Sequence, residues 1–295
     1  MSLTATNLSA LSRLFSSSVY RQLAEKGRSP LFARLFRDAG LNKRPSTIET
    51  VGDAFDAAFA TLRKSGHRDE YVYRAALTHN LLLGRHSLNT ASLLTEFRTG
   101  ASKADLVILN GTSAAYEIKS ERDSLARLDG QLINYRKVCA KVFVIAARPF
   151  VQQIVDSMNE DIGVMALSRW NRITTVREAA ERPDLVCPIT ILDSIRTSEA
   201  LQILENLNIS IPAVPNTQIR GVLRGLFSEQ SPAVIHDEMV KTLKKSRNAT
   251  PLQLLLDQIP SSLQPVALSV QVKQDDHERL VETISTPINQ AINWG

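Results

Sequence analysis

The sequence predicts an α/β protein in which a mixed sheet is flanked by helices, with further helical segments at both ends of the chain. Short apolar segments of strand length alternate with amphipathic segments between residues 65 and 175, which is the pattern of a layered α/β core. The flanking segments repeat their apolar residues at the spacing of helices. With 295 residues, 43% of them hydrophobic, the chain is long enough to bury a substantial core.

The first region, residues 1–64, is predicted to be helical and basic. Pro30 is typical of a helix start and Gly40 of a helix end, and a further helix is predicted over 51–64. The net charge of the whole chain is only +5, but basic residues greatly outnumber acidic ones in its first 44 residues. The acidic residues there are Glu25 and Asp38, and the basic residues are Arg13, Arg21, Lys26, Arg28, Arg34, Arg37, Lys43 and Arg44. Two interpretations remain open: a solvated helix face, or an arm that contacts the backbone of nucleic acid.

The middle region, residues 65–175, contains the predicted sheet. It begins with a helix over 71–83 and a short helical stretch over 92–97. Asn110-Gly111 is a typical hairpin turn. Strands are predicted on both sides of this turn and later in the region, with helices between them: strands 105–109, 114–119, 141–147 and 163–167, and helices 125–138 and 150–158.

The last region, residues 176–295, is predicted to be mostly helical. The apolar residues there have helical spacing in four segments, and one segment near the end alternates as a strand does. The predicted helices are 198–207, 217–227, 231–245 and 251–258, and the strand-like segment is 266–272.

Several protein classes are excluded by what the sequence lacks. No segment approaches the roughly 18 consecutive apolar residues of a membrane span, and the N-terminus lacks the pattern of a secretory signal. The P-loop pattern GxxxxGK[ST] does not occur. We therefore expect a cytoplasmic protein without a membrane partner and without nucleotide-driven motor activity.

Three residues, Asp105, Glu117 and Lys119, carry the chemistry that the sequence indicates. Side chains alternate along a strand, so Glu117 and Lys119 project from the same face. Asp105 joins them if the hairpin pairs Asp105 with Glu117, which leaves 110–112 as a three-residue loop. A two-residue Asn-Gly turn would instead place the two carboxylates on opposite faces.

Paired carboxylates at this position predict a divalent cation. Two neighbouring carboxylates repel each other and stay ionised together only when a cation lies between them. Their hard oxygen atoms suit Mg²⁺, with Mn²⁺ as a substitute, and the carbonyl of Ile118 offers a neutral ligand. Lys119 beside such an ion can orient or deprotonate a water molecule, or stabilise the charge that develops on a phosphate.

This arrangement resembles the PD-(D/E)xK phosphodiesterase superfamily, whose core is the restriction-endonuclease-like fold. Asp105 matches the Asp that begins one strand, and Glu117 and Lys119 match the (D/E)-x-K of the next. The resemblance implies a further acidic ligand on a preceding helix, for which Glu96 is the candidate. The Pro that usually precedes the Asp is absent, and Ala104 stands in its place.

The segment after the lysine extends the resemblance to a RecB-like group. That group has a Gln-x-x-x-Tyr motif on the next helix, and Gln131 and Tyr135 match it within RLDGQLINY. At this spacing the two residues share one helix face, with Arg127 one turn earlier. The resemblance implies that they hold the nucleic-acid backbone and pack near the active site. The pattern between residues 71 and 170 is also similar to a group of small uncharacterised bacterial members of the superfamily.

The function implied is metal-dependent cleavage of nucleic acid, with DNA as the expected substrate and an endonuclease of repair, restriction or phage defence as the expected role. A homodimer fits a double-strand cut, which needs two sites, and a protein activator is a further expected partner. Two alternatives remain open. One is a catalytically silent nuclease fold that binds DNA or a partner. The other is a helical regulatory or assembly protein, which a wide separation of Asp105 from Glu117 would indicate.

Overall fold

A computed structural model describes residues 3–43, 48–64, 66–85, 88–168 and 171–295. These residues form an α/β structure with a six-stranded mixed sheet. The strands are β1 (Ser92–Thr99), β2 (Ser102–Asn110), β3 (Thr112–Lys119), β4 (Lys141–Ala146), β5 (Gly163–Leu167) and β6 (Ile173–Arg177). The α-helices are α1 (Ala5–Leu14), α2 (Ser17–Lys26), α3 (Pro30–Asp38), α4 (Val51–Leu62), α5 (Glu70–Leu77), α6 (Leu83–Arg85), α7 (Leu128–Arg136), α8 (Arg148–Ser157), α9 (Pro188–Ser194), α10 (Thr197–Asn206), α11 (Asn216–Ser228), α12 (Pro232–Ser246), α13 (Gln253–Gln258), α14 (Gln264–Ser269), α15 (Asp275–Ile284) and α16 (Ile288–Ala291).

The sheet follows the order of the chain, β1-β2-β3-β4-β5-β6. Its first three strands form an antiparallel meander, β3, β4 and β5 run parallel, and β6 returns antiparallel to β5. Parallel neighbours need a crossover connection, and α7 and α8 provide the two that this sheet requires. The predicted α/β class, with a mixed sheet and flanking helices, is confirmed.

Two predicted elements have a different type in the structure. The segment 92–97, predicted to be helical, lies in β1, because its backbone pairs with β2 on both sides of Glu96. The strand-like segment 266–272 begins instead within α14, which has Pro265 in its first turn, a position where proline favours a helix start. The strand β6 was not predicted from the sequence.

The β2–β3 hairpin has the register that the predicted site requires. Leu109 pairs with Ser113, and the same register carried along the strands aligns Asp105 with Glu117. Gly111 at the tip has a φ of 72°, a left-handed conformation that glycine adopts without steric cost. The predicted register is confirmed, but the ladder extends one pair further than predicted. Asn110 pairs with Thr112, so that only Gly111 lies between the two strands.

The described chain divides into two compact units. The helical unit contains Met1–His79, Ser120–Arg122 and Thr250–Gly295, and the sheet unit contains Asn80–Lys119 and Asp123–Ala249.

These units differ from the three regions suggested by composition, 1–64, 65–175 and 176–295. Helices α9 to α12 belong to the sheet unit, whereas α13 to α16 belong to the helical unit. Within the helical unit, a β-bridge between Thr50 and Pro287 joins the N-terminal part of the chain to its C-terminal part. Contacts between residues so far apart in sequence leave no local signal, so composition alone could not have revealed this division.

The helical unit has an aromatic core and a basic surface. The rings of Phe15 and Tyr71 stack with their centroids 4.3 Å apart, and Phe55 packs against the first of them. Six basic side chains in and between the first three helices are exposed: Arg13, Arg21, Lys26, Arg28, Arg34 and Arg37. Arg44 and the side chain of Lys43 lie outside the described residues. In the described part of the chain, no helix has both the length and the apolar character of a membrane span.

A buried ion pair joins α10 to α12 within the sheet unit. The Glu199 carboxylate, 3% exposed, accepts four hydrogen bonds. Two come from Arg247, from Nε at 2.8 Å and from Nη2 at 2.7 Å, and the others come from Ser246 Oγ and the backbone N–H of Arg196. Burial alone would raise the pKa of Glu199, but these hydrogen bonds outweigh burial and the pKa is lowered. The guanidinium also lies over the ring of Phe97.

Replacing Arg247 with Ala is expected to lower the free energy of unfolding by about 2 kcal/mol at pH 7, because hydrogen bonds to a charged group are lost. The folded-state pKa of Glu199 is depressed, so this stabilisation is complete above the unfolded value of about 4.3. It disappears as the pH falls through the lower folded-state value. Urea unfolding of wild type and variant, at pH 7 and near pH 3, measures the change.

The exposed pair between Arg224 and Asp193 provides the control. The two side chains are 56% and 40% exposed, so Arg224→Ala is expected to cost under about 1 kcal/mol. A difference between Arg247→Ala and wild type that stays the same at both pH values would contradict the assignment.

Candidate functional site

The candidate site begins where β2 and β3 stop pairing. The last paired residues are Leu106 and Tyr116. One step further, Oδ2 of Asp105 accepts the backbone N–H of Ile118 at 2.7 Å, so the side chain takes the place of the next ladder bond. Because the N–H and C=O groups of one strand residue point to the same side, the carbonyl of Ile118 also faces the gap between the strands.

Glu117 lies on β3 and is buried, with 2% of its surface exposed. Its Oε1 accepts a hydrogen bond from Lys119 Nζ at 2.7 Å, and its Oε2 accepts one from the Tyr135 hydroxyl. Both carboxylate oxygens are therefore engaged. The predicted side-by-side arrangement of Glu117 and Lys119 on one face of the strand is confirmed.

Helix α7 supplies the groups that hold this ion pair. Oε1 of Gln131 accepts a second hydrogen bond from Lys119 Nζ at 3.0 Å. An ammonium group has three N–H donors, and these two contacts with described residues account for two of them. Lys119 is thus fixed in position, at 7% exposure, with donor capacity left for a further acceptor.

Tyr135 is completely buried and positions Glu117. Its hydroxyl has one proton and two acceptors within reach, the Glu117 carboxylate and the Lys103 carbonyl oxygen at 2.7 Å. Burial raises the pKa of Tyr135 far above its ordinary value, and the negative charges of Glu117 and Asp105 raise it further, so the hydroxyl stays protonated. The resemblance implied that Tyr135 holds nucleic acid and packs near the site. In the structure Tyr135 packs near the site, next to Glu117, and it does not reach the surface.

Glu96 lies on β1 and not on a helix, contrary to the prediction. The residue pairs on either side of it align Glu96 with Asp105 on the neighbouring strand. Its φ of 51° interrupts the pairing, and positive φ is uncommon for any residue other than glycine. The side chain is exposed, and its carboxylate comes within 4.8 Å of that of Asp105.

The oxygen atoms around this gap fit a hard divalent cation. Those of Glu96 and Asp105 are separated by a distance that an ion with bonds of about 2.1–2.4 Å can span after small side-chain movements. The Ile118 carbonyl faces the space beside Asp105, between β2 and β3. Among the described residues, Glu117 does not belong to this acidic group, because Lys119 and Tyr135 hold its carboxylate. The predicted pairing of Asp105 and Glu117 around one metal ion is therefore not formed. Asp105 lies in the oxygen-rich gap with Glu96, whereas Glu117 forms an ion pair with Lys119.

Sequence reasoning missed the contribution of Lys103. Its carbonyl accepts the Tyr135 hydroxyl, and its exposed side chain lines an open groove together with Arg127 and Gln131. The available signal was strand alternation, since Lys103 precedes Asp105 by two residues and therefore projects from the same face. Arg127, predicted to bind substrate, is exposed at the start of α7.

A second polar cluster lies near the tip of the hairpin. Ser113 Oγ is 2.8 Å from His236 Nε2, and His236 Nδ1 is 3.0 Å from an oxygen of Asp237. The order of groups matches that of a nucleophilic triad, but Ser113 is 0% and His236 1% exposed, so no substrate reaches the hydroxyl. Ser113 also accepts the backbone N–H of Ala140 at 3.1 Å. The cluster anchors α12 to the sheet.

The fold and the site define a class: an α/β protein whose mixed sheet carries an acidic gap next to a buried Glu–Lys pair. The family described as Bacteriophage P4 protein cII matches residues 63–269. The chain belongs to this family.

Two known proteins are similar to parts of the chain. Protein cII of Enterobacteria phage P4 is 30% identical over 169 residues, which cover 55% of this chain and 62% of that protein. The chain therefore spans less than two thirds of the length of this relative. A solved structure of a protein of unknown function from Silicibacter pomeroyi is 20% identical in sequence. The match covers 40% of this chain and 82% of that protein's chain, with a TM-score of 0.28.

Proposed function

We propose that this chain is a metal-dependent nuclease whose sheet unit is a PD-(D/E)xK, restriction-endonuclease-like core. The observation that carries the proposal is the position of Lys119. Its ammonium group is held by Glu117 and Gln131. Lys119 lies on β3, the strand next to β2, which carries Asp105. A fixed cation near oxygen atoms that can hold a metal ion would stabilise the negative charge that develops on a phosphate during hydrolysis.

Each residue of the site has a role in this proposal. Glu96, Asp105 and the carbonyl of Ile118 would hold Mg²⁺ or Mn²⁺, which supplies positive charge next to the scissile phosphate when it is bound. Lys119 donates a hydrogen bond to a phosphate oxygen or to the attacking water. That water forms the new P–O bond and releases a proton to the surrounding water. The bond to the leaving sugar oxygen breaks, and this oxygen takes up a proton from the surrounding water. Glu117 and Gln131 hold Lys119 in place, and Tyr135 holds Glu117.

DNA is the proposed substrate, and an endonuclease of repair, restriction or phage defence is the proposed role. A homodimer would place two sites on the two strands of a duplex, and a protein activator remains part of the proposal.

A second candidate is a catalytically silent nuclease fold that binds nucleic acid. The observation in its favour is the state of Glu117, whose two oxygens are both occupied by hydrogen-bond donors and are thereby withdrawn from a metal ion. The helical regulatory or assembly protein is a third candidate. The observation in its favour is that, among the described residues, Glu117 does not belong to the acidic group that contains Asp105.

Cleavage of supercoiled plasmid and linear DNA, with Mg²⁺ or Mn²⁺ and with chelator, tests the proposal. We expect metal-dependent cutting by the wild type and a loss of about 100-fold or more in Asp105→Asn and Lys119→Ala, the usual effect of removing one electrostatic group from an active site. Lys137→Ala is the control, because this lysine is exposed at the other end of α7. The plasmid also separates endonuclease from exonuclease action.

The possible outcomes separate the candidates. No cutting by the wild type, together with no binding of either metal in calorimetry, would contradict the enzyme and leave the silent fold as the better proposal. Metal binding without cutting would indicate a missing substrate or activator. Cutting that persists in both site variants would show that the activity comes from elsewhere.

A further inference from the structure

An open groove runs along one side of the candidate site. One wall consists of residues at the β1–β2 turn and the start of β2, including Lys103, and the other is the first two turns of α7, including Arg127 and Gly130. All of these residues belong to the sheet unit. The groove is a surface feature separate from the oxygen-rich gap.

The groove carries positive charge on both walls. Lys103 and Arg127 are exposed, and none of the described residues that line the groove is acidic. Asp129, the acidic residue in the first turn of α7, is not among them. Two cations that face a groove whose described lining residues carry no counter-charge favour a negatively charged ligand.

The groove is also smooth and already formed. A Cβ atom added to Gly130 would meet no atom within 4 Å, so a bulky ligand can approach the helix backbone there. The walls are tied together, because Asn134 Nδ2 donates a hydrogen bond to Ser102 Oγ at 3.0 Å. A preformed groove avoids much of the entropy cost of ordering a binding surface.

Two hydrogen bonds connect the groove to the candidate site. Gln131 lines the groove and accepts a hydrogen bond from Lys119. The carbonyl of Lys103 accepts one from Tyr135, which also contacts Glu117. A ligand in the groove therefore lies one side chain away from the ammonium of Lys119.

We propose that this groove binds the sugar–phosphate backbone of nucleic acid, with Lys103 and Arg127 each contacting a phosphate. The backbone would leave the groove at Lys119, so the groove selects which phosphate reaches the site. No aromatic residue is among the described lining residues, so the groove offers no surface for base stacking. Contacts to phosphates carry no sequence information, so we expect binding that does not depend on sequence. The route to Lys119 rests on the proposed nuclease function, whereas binding in the groove does not depend on cutting.

The test is binding of the full chain to labelled DNA in the presence of chelator, where metal-dependent cutting is absent. Fluorescence anisotropy with a duplex of about 20 base pairs, repeated at several salt concentrations, gives the affinity and the number of phosphate contacts, since each contact contributes about 0.9 to the salt slope. We expect Lys103→Gln and Arg127→Gln each to lower the slope by about one contact and to weaken binding roughly 5- to 10-fold at low salt. Lys137→Gln is the charge-matched control.

Gly130→Glu tests the groove in a second way, by placing a carboxylate inside it. Gly221→Glu is its matched control, because Gly221 is also a helical glycine, on α11, where an added Cβ meets no atom within 4 Å. We expect a loss of at least about 10-fold in affinity for Gly130→Glu and little change for Gly221→Glu. Circular dichroism and thermal melting check that each variant is folded.

The outcomes distinguish this proposal from the nuclease itself. Equal binding by Gly130→Glu and Gly221→Glu, with unchanged salt slopes in Lys103→Gln and Arg127→Gln, overturns the groove even if the wild type cuts plasmid. Groove-dependent binding by a protein that neither cuts DNA nor binds Mg²⁺ or Mn²⁺ supports the groove and overturns the nuclease. Equal competition by inorganic phosphate and by DNA phosphate, at the same phosphate concentration, would show a simple anion site and overturn the backbone proposal.

Discussion

Replacing Lys119 with Met is expected to lower the free energy of unfolding by about 3–4 kcal/mol, the usual cost of breaking a buried ion pair by removing one partner. The side chains of Lys119 and Glu117 are only 9% and 2% exposed, and their charged atoms are 2.7 Å apart. Without the ammonium, the Glu117 carboxylate stays buried, and the hydrogen bond from Tyr135 does not neutralise its charge. Urea unfolding at pH 7 measures the loss.

A double-mutant cycle isolates the pair itself. Glu117→Gln with Lys119→Met removes both charges, so most of the lost stability is expected to return, because replacing both partners of a buried pair is often close to neutral. The control is Lys141→Met, which breaks a pair with Glu181 whose side chains are 31% and 47% exposed and is expected to cost under about 1 kcal/mol. Equal costs for the two lysine variants would mean that the Glu117–Lys119 pair is not buried in solution.

This result also decides how the activity assay is interpreted. A Lys119 variant that loses stability can lose cutting simply because less of it is folded at the assay temperature. Asp105→Asn is expected to lose less stability, because asparagine keeps an oxygen that can accept a hydrogen bond from the Ile118 N–H. A loss of cutting in Asp105→Asn without a loss of stability is therefore the sharper sign of a role in chemistry.

The local part of the candidate site could be predicted from the sequence. Alternation along a strand places Glu117 and Lys119 on one face, and Gly111 allows the connection whose register aligns Asp105 with Glu117. The Gln131/Tyr135 spacing indicated one face of a helix. These features depend on residues close together in sequence, so periodicity and turn chemistry were sufficient to predict them.

The partners of each side chain could not be predicted in the same way. The segment 92–97 has apolar residues at spacings that fit a helix as well as a strand, and only its pairing with β2 decides the outcome. This pairing is what brings Glu96 opposite Asp105. Whether Tyr135 faces substrate or core depends on how α7 packs against the sheet, which its own sequence does not specify.

A methyl group at Gly163 is expected to lower the free energy of unfolding by about 3 kcal/mol, at the upper end of the usual cost of overpacking a core. An added Cβ would lie 2.2 Å from Cδ1 and 2.5 Å from Cε1 of Phe143, and 2.9 Å from the Cβ of Ala179. The Phe143 ring cannot easily turn away, because it is 5% exposed and stacks on Tyr116 with the centroids 5.2 Å apart. For a unit of this size the melting temperature should fall by roughly 6–12 °C.

Gly130→Ala is the control for Gly163→Ala, because an added Cβ at that helical glycine meets no atom within 4 Å. It should be neutral or stabilising by up to about 1 kcal/mol. Combining Gly163→Ala with Phe143→Leu should recover part of the loss, since the smaller side chain vacates the space that the methyl group needs. If Gly163→Ala melted like the wild type, β4 and β5 would not hold the Phe143–Gly163 register. The position of β4, which pairs with β3 beneath Glu117 and Lys119, would then need another source of support.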